Sequence, residues 1–221
     1  MFNLPDRTLY NRRIPKNKFY EKLKANTKLK DLFVEQVDYI VWKHKLSKDT
    51  VNLEPTEDVQ EIQVFEIHLK QRDLSREILE NIDKAIPYPI IHVLIYQNLA
   101  KFAVAYKQRN RNNEDRAVIR SYYESDWQPI KQISVNLLQG LDLQATYENF
   151  IRSLMSVDTG ADEELSDVVR RQEEIERLTR ECARLEARIK SERQFNRKVE
   201  LNMELQKKRK ELISFGVNPA Q

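Results

Sequence analysis

Apolar positions follow two rhythms along the chain, and the change comes near residue 160. Before it they fall in short alternating or continuous runs. The clearest is EIQVFEIHLKQ at 61–71, where Phe65, Ile67 and Leu69 take one side of an extended backbone. Val64, Glu66, His68 and Lys70 take the other, which predicts a strand. Residues 38–46 alternate more weakly and predict a second strand. Residues 90–96 are nearly all apolar, as expected of a central strand covered on both faces. Gln97-Asn98 then turns the chain into 101–107, where Phe102, Val104 and Tyr106 alternate with alanines, so a hairpin is predicted. Residues 117–126 resume strand character. Helical spacing marks 16–25, 28–35, 76–85 and 144–155. In the third of these Ile78, Leu79, Ile82 and Ile86 form one stripe behind Ser75 as N-cap. Residues 1–160 therefore read as an α+β domain: a mixed or antiparallel sheet of about five strands with helices on one face.

The second rhythm is heptad-like. From Asp162 to Ser214 there is neither Gly nor Pro, and good helix formers dominate. Val168, Ile175, Cys182 and Ile189 fall at successive a positions, with Leu178 and Leu185 at d and Arg171 off-pattern. Carried on, the same frame places Asn196 and Met203 at a, with Glu192, Val199 and Gln206 at d. Leu201, Leu205 and Leu212 follow another phase, which reads as a stutter or a break. Two geometries fit, a long helix that dimerises or a hairpin turning near 190–194. Without Gly, Pro or Asn-Gly to make that turn, a long coiled-coil helix over 161–215 is expected, followed by a short tail at 216–221. A charged helix folded back on its own domain is the plainer alternative.

Composition removes whole classes of function. The 221 residues include three glycines, Gly140, Gly160 and Gly216. Walker loops and dinucleotide fingerprints need clustered glycines and are excluded. The one cysteine, Cys182, rules out an internal disulfide and a thiolate-rich zinc site. No apolar stretch reads as a signal peptide or membrane span, so a soluble cytoplasmic protein without a cofactor is expected. Net charge is +3, too little to argue for nucleic acid. Residues 1–30, however, hold nine Lys/Arg against two acids, while residues 31–100 hold seven against thirteen.

Candidate chemistry is sparse. Glu66, His68 and Lys70 share a strand face, and a restriction-type nuclease sets an acid and a lysine two residues apart on such a strand. His68 stands where that pattern puts its lysine, and the upstream acid would be Asp38, Glu54 or Asp58. A polar face on a half-solvated sheet explains the same residues. His44, His68 and His92 lie on three predicted strands and could converge on zinc, although His92, amid Ile90 and Leu94, reads as a core histidine. Arg7, Arg12, Arg13, Lys16 and Lys18 are interleaved with Tyr10, Phe19 and Tyr20, a combination suited to phosphates and unpaired bases. Lys107, Arg109, Arg111, Arg116 and Arg120 form a second basic cluster around a polar loop.

The opening FNLPDRT, the segment IPKNKFYE, the run NIDKAIPYPIIHVLIY followed by AYKQ, and ERQFNRKVELNMEL together resemble a bacterial and archaeal family known as a domain of unknown function. The resemblance spans Phe2 to Leu205. Members of that family tend to be encoded near Swi/Snf-type helicases and DNA methyltransferases in mobile or defence-related neighbourhoods. The resemblance thus implies an accessory subunit of a DNA-processing or anti-phage assembly, joined to itself or to such an enzyme through the C-terminal helix. A metal-dependent nuclease using Glu66 and Lys70, and a DNA-binding module using the basic N-terminus, are the alternatives.

Overall fold

In the computed structural model, which describes residues 1–23, 26–109, 117–155 and 163–217, the chain divides into two units, Met1–Ser156 and Val157–Gln221. The elements of the first are β1 (Leu9–Ile14), α1 (Lys16–Leu23), α2 (Thr27–Gln36), β2 (Val37–Leu46), the one-turn α3 (Lys48–Val51), β3 (Ile62–Leu69), α4 (Arg76–Ala85), β4 (Ile90–Tyr96), β5 (Leu99–Arg109), β6 (Ala117–Glu124), β7 (Gln128–Pro129) and α5 (Leu143–Leu154). The strands form one mixed sheet in the order β1-β2-β3-β4-β5-β6, with β7 beside the start of β5. Neighbours run antiparallel except β3 and β4, which are parallel. A parallel pair needs a crossover, and α4 supplies it. Its predicted stripe is buried at Ile78, Leu79 and Ile82.

The alternation of each strand separates two cores. Phe65, Ile67, Leu94 and Ala103 pack with Phe19, Leu29, Phe33, Ile78 and Ile82, so α1, α2 and α4 cover one face. Phe102, next to Ala103 and therefore on the opposite face, meets Phe150 of α5 at 5.7 Å and Phe2 at 5.4 Å between ring centroids. The helices thus flank both faces, not one. Among the described residues the sheet has seven strands where about five were expected. β1 (LYNRRI) was missed because it is an edge strand with mostly exposed residues and a register shift between Leu9 and Arg12. Ser75 does sit before α4, but its side chain makes no capping bond. Its N–H instead donates to Gln36 Oε1 at 2.7 Å.

The second unit corrects the expectation of one continuous helix. It is a hairpin of α6 (Leu165–Ser191) and α7 (Phe195–Ser214). The break needs neither Gly nor Pro, because the Glu192 carboxylate accepts the N–H groups of Arg193 and Gln194 at 2.8 and 2.9 Å. That acid satisfies amides which a continuing helix would have bonded to its own carbonyls. Leu178, Cys182 and Leu185 pack on Leu201, Leu205 and Leu212, with Ile175 and Ile189 at the margin. The phase change at Leu201 is therefore a reversal of chain direction. Val168 is buried but lies outside that cluster. Lys208–Glu181 (3.3 Å) and Arg209–Glu186 (2.9 Å) tie the helices together. Gly216, with φ 77°, closes α7 while Val217 N–H returns to the Leu212 carbonyl. No helix among the described residues is long and apolar enough to cross a membrane.

Gly140 marks a close approach of loop to helix. A Cβ there would lie 2.5 Å from Thr146 N and 2.8 Å from the Ala145 carbonyl carbon, both backbone atoms in the first turn of α5. Gly140→Ala is expected to cost about 1–3 kcal/mol, the usual range for overpacking. Urea unfolding checks this, and an unchanged midpoint would mean that the loop yields without penalty.

Candidate functional site

Strand register brings the polar residues of β1, β2 and β3 onto one face. Val41 pairs with both Arg13 and Glu66, and Tyr39 pairs with His68. The intervening Ile40, Phe65 and Ile67 belong to the opposite, helix-covered core. On this half-exposed face His68 Nε2 lies 3.7 Å and Lys43 Nζ 3.5 Å from Glu66 Oε2. Burial pushes the Glu66 carboxyl up, but His68 and Lys43 together hold it below the ordinary glutamate value. Tyr39 stacks on His68 at 4.1 Å, and the Arg13 guanidinium sits 4.6 Å above Tyr39. Glu66 is thus a carboxylate held between the Lys43 ammonium and the His68 ring.

The nuclease constellation is not gathered here. Lys70 turns to the end of α2, where it donates to the Val34 carbonyl at 2.8 Å. Glu54 pairs with Lys48 at 2.8 Å. Asp58 lines a separate cleft of about 340 Å³ with Tyr106, Gln108, Gln144, Tyr147 and Glu148. The histidines also stay apart. His44 meets the Thr8 hydroxyl at 2.9 Å, His68 meets Glu66, and His92 meets Asp83 from the other side of the sheet. Among the described residues, no group of three or more His, Cys, Asp or Glu side chains is placed to hold a metal ion.

The N-terminal cations divide between structural and exposed settings. Lys16 Nζ donates to the carbonyls of Phe33 (3.3 Å) and Val37 (2.8 Å). It therefore neutralises the negative end of α2 together with Lys70. Arg7 Nε donates to the Thr50 carbonyl at 2.5 Å. Arg12 lies 4.6 Å over Tyr10, whose ring is 4.1 Å from that of Trp42. Arg12 and Arg13, being adjacent on a strand, point to opposite faces. Lys18 is exposed. In the second cluster Lys107 is 7% exposed and belongs to the core, not to a basic surface. Arg111, Arg116 and the Arg109 side chain fall outside the described residues.

What Lys107 does contribute is a buried charge network that the sequence did not reveal. Asp83 of α4, fully buried, receives the Tyr122 hydroxyl at 2.5 Å and His92 Nε2 at 3.0 Å on Oδ2. Lys107 Nζ lies 2.8 Å from Oδ1, off the hydrogen-bonding direction. Lys107 spends its hydrogens on the carbonyls of Asp83, Ile86 and Tyr88, the C-terminal end of α4 and the loop beyond it. Burial alone would raise the Asp83 carboxyl, yet Lys107 and His92 overcome it and hold it far below the ordinary aspartate value. Burial also pulls Lys107 below the ordinary lysine value, with Asp83 restoring part of the loss. Tyr122 is driven up by burial and by the same carboxylate.

Over residues 2–212 the sequence matches the family described as a domain of unknown function, DUF4391. The chain belongs to that family. Neither a curated protein nor a solved structure matches it significantly.

In this DUF4391 chain the signal for the network was present but easily passed over. Asp83 interrupts the Leu79–Ile82–Ile86 stripe of α4, an acid at a core-facing position, and His92 interrupts an apolar strand. Breaking a buried pair typically costs about 3–5 kcal/mol, and Asp83→Asn is expected to cost that much in denaturant unfolding at pH 7. Because the folded-state pKa of Asp83 is depressed, its contribution is complete above the unfolded-state value and is lost as pH falls through the folded-state value. Wild-type stability should therefore fall more steeply than that of Asp83→Asn below about pH 4. Parallel pH curves for the two would contradict the assignment.

Proposed function

We propose that the chain is an accessory, non-catalytic subunit of a DNA-processing or anti-phage assembly, and that its C-terminal hairpin is the assembling element. The supporting observation is that α7 carries two apolar stripes. Leu201, Leu205 and Leu212 are buried against α6. Val199, Met203 and Ile213 are 42%, 69% and 54% exposed on the same helix. A helix with only its own hairpin to hold needs one stripe, and exposed apolar surface of this kind marks interaction sites. The DNA-processing context comes from the gene neighbourhoods that the family resemblance implies. Purification of the tagged chain from its native cell tests the reading. A helicase or DNA methyltransferase should accompany the wild type in stoichiometric amounts and be lost from Val199→Glu/Met203→Glu. Recovery of the chain without any other subunit would refute it.

A second reading, direct DNA contact, is favoured by one specific feature. Arg12 and Arg13 project from an edge strand while stacked on Tyr10 and Tyr39, which holds two exposed guanidinium groups in fixed positions. On this reading Arg12→Ala/Arg13→Ala weakens duplex binding alike across sequences. It also lowers the slope of log affinity against log salt by about one per lost phosphate contact. Binding insensitive to salt would end this reading.

A further inference from the structure

We propose that the occupant of the exposed α7 stripe is α7 of a second copy of this chain, packed antiparallel about a two-fold axis between Met203 and Gln206. The inference rests on the assembly reading above: the stripe joins two copies, the paired hairpins are the element on which the larger assembly is built, and Val199→Glu/Met203→Glu therefore loses both.

The stripe continues the heptad frame of α6 beyond the turn. Asn196, Met203 and Lys210 fall at a, and Val199, Gln206 and Ile213 fall at d. All six are exposed, whereas the Leu201–Leu205–Leu212 stripe is used within the hairpin. Val199, Asn202, Met203, Gln206, Lys207 and Lys210 line a shallow depression of about 490 Å³ along this side of the helix. A surface that pairs with itself must be complementary to its own rotated image. In the antiparallel register centred between Met203 and Gln206, Met203 packs beside Gln206 of the second copy. Lys210 lays its apolar stem across Val199, and Asn196 meets Ile213. Phe195, 78% exposed, falls level with Ser214, beside Ile213 and Phe215. Every exposed apolar residue of α7 is then covered at once.

Charge selects this register among its competitors. The flanking e positions are Glu200 and Lys207, and the two-fold brings Glu200 of each copy against Lys207 of the other. The Lys210 ammonium lies beside the same glutamate. A slip of one heptad in one direction sets Glu200 against Glu200, and in the other direction Lys207 against Lys207. A parallel pair sets Lys210 against Lys210 in the seam. Like charges so placed oppose association and fix register. Among the described residues Glu200 is held only by Arg197, an exposed pair at 2.5 Å, which is easily exchanged. Lys207 makes no ion pair among the described residues.

Light scattering coupled to size exclusion, on the full-length chain from micromolar to hundreds of micromolar, tests the proposal. The wild type should pass from 26.4 kDa to twice that mass as concentration rises. Met203→Glu, at an exposed position that leaves the hairpin core intact by circular dichroism, should remain monomeric throughout. Glu200→Lys and Lys207→Glu should each weaken the dimer at least tenfold, and the double exchange should restore it. A wild type that is monomeric across the range, or a dimer indifferent to Met203→Glu, overturns the second copy as occupant. A double exchange no better than the single variants overturns the register. A monomeric wild type that still purifies with a DNA-acting enzyme overturns only this inference. A dimer that purifies alone overturns the larger assembly and leaves this inference standing.

Discussion

A fully buried carboxylate must find its partners within the protein, and Asp83 finds two hydrogen-bond donors and one ammonium on three consecutive strands. His92 comes from β4, Lys107 from β5 and Tyr122 from β6. One azimuth of α4 and one register of the three strands bring those groups to a single acid. An apolar cluster of equal volume would stabilise the fold as well or better, since desolvating the ions offsets much of their attraction. What the network adds is selection. Apolar side chains tolerate a rotated helix or a slipped strand, while an unpaired buried charge does not. Lys107 extends the constraint by holding the Ile86 and Tyr88 carbonyls. The exit from the crossover helix and the start of β4 are thereby fixed along with it.

Elements that bury a full stripe or a full face were legible from spacing alone. α4 and β4 have the predicted bounds, and β2, β3, β5 and α5 begin within two residues of them. Their periodicity is the direct imprint of burial. β1 left no such imprint, because an edge strand that presents Asn11, Arg12 and Arg13 to solvent has little apolar pattern to show. The reversal at 192–194 was one of the two geometries that the change of heptad phase allowed, and the absence of a turn residue weighed against it. A glutamate side chain did the work usually left to glycine, and Glu192 is indistinguishable in sequence from its helical neighbours. Of the candidate site, the sharing of a face by Glu66 and His68 followed from alternation. Lys43 as the partner of Glu66 did not, since it depends on the register of β2 against β3, which no local pattern encodes.

The basic N-terminus has an explanation that asks nothing of nucleic acid. Unprotected edge strands recruit other strands, and charged side chains along the edge are a common defence. Arg12 and Arg13 meet that need on both faces of β1, while Lys16 serves the end of α2. A DNA contact would have to be a second use of residues already employed in the fold. The salt dependence proposed for it is informative because edge protection alone predicts none.

Among the described residues no parallel explanation accounts for the exposed side of α7. Polar residues at Val199, Met203 and Ile213 would leave the Leu201–Leu205–Leu212 packing untouched, because the two stripes occupy different sides of the helix. Exposed Met and Ile on a helix otherwise rich in Lys, Arg and Glu add nothing to the hairpin and work against solubility. The heptad frame that predicted one long coiled helix instead runs across two helices, α6 and α7, and so does not describe a single surface. Its first half serves the fold. Its second half, displaced by the turn, faces outward, and that exposure is the ground on which a partner helix is proposed for it.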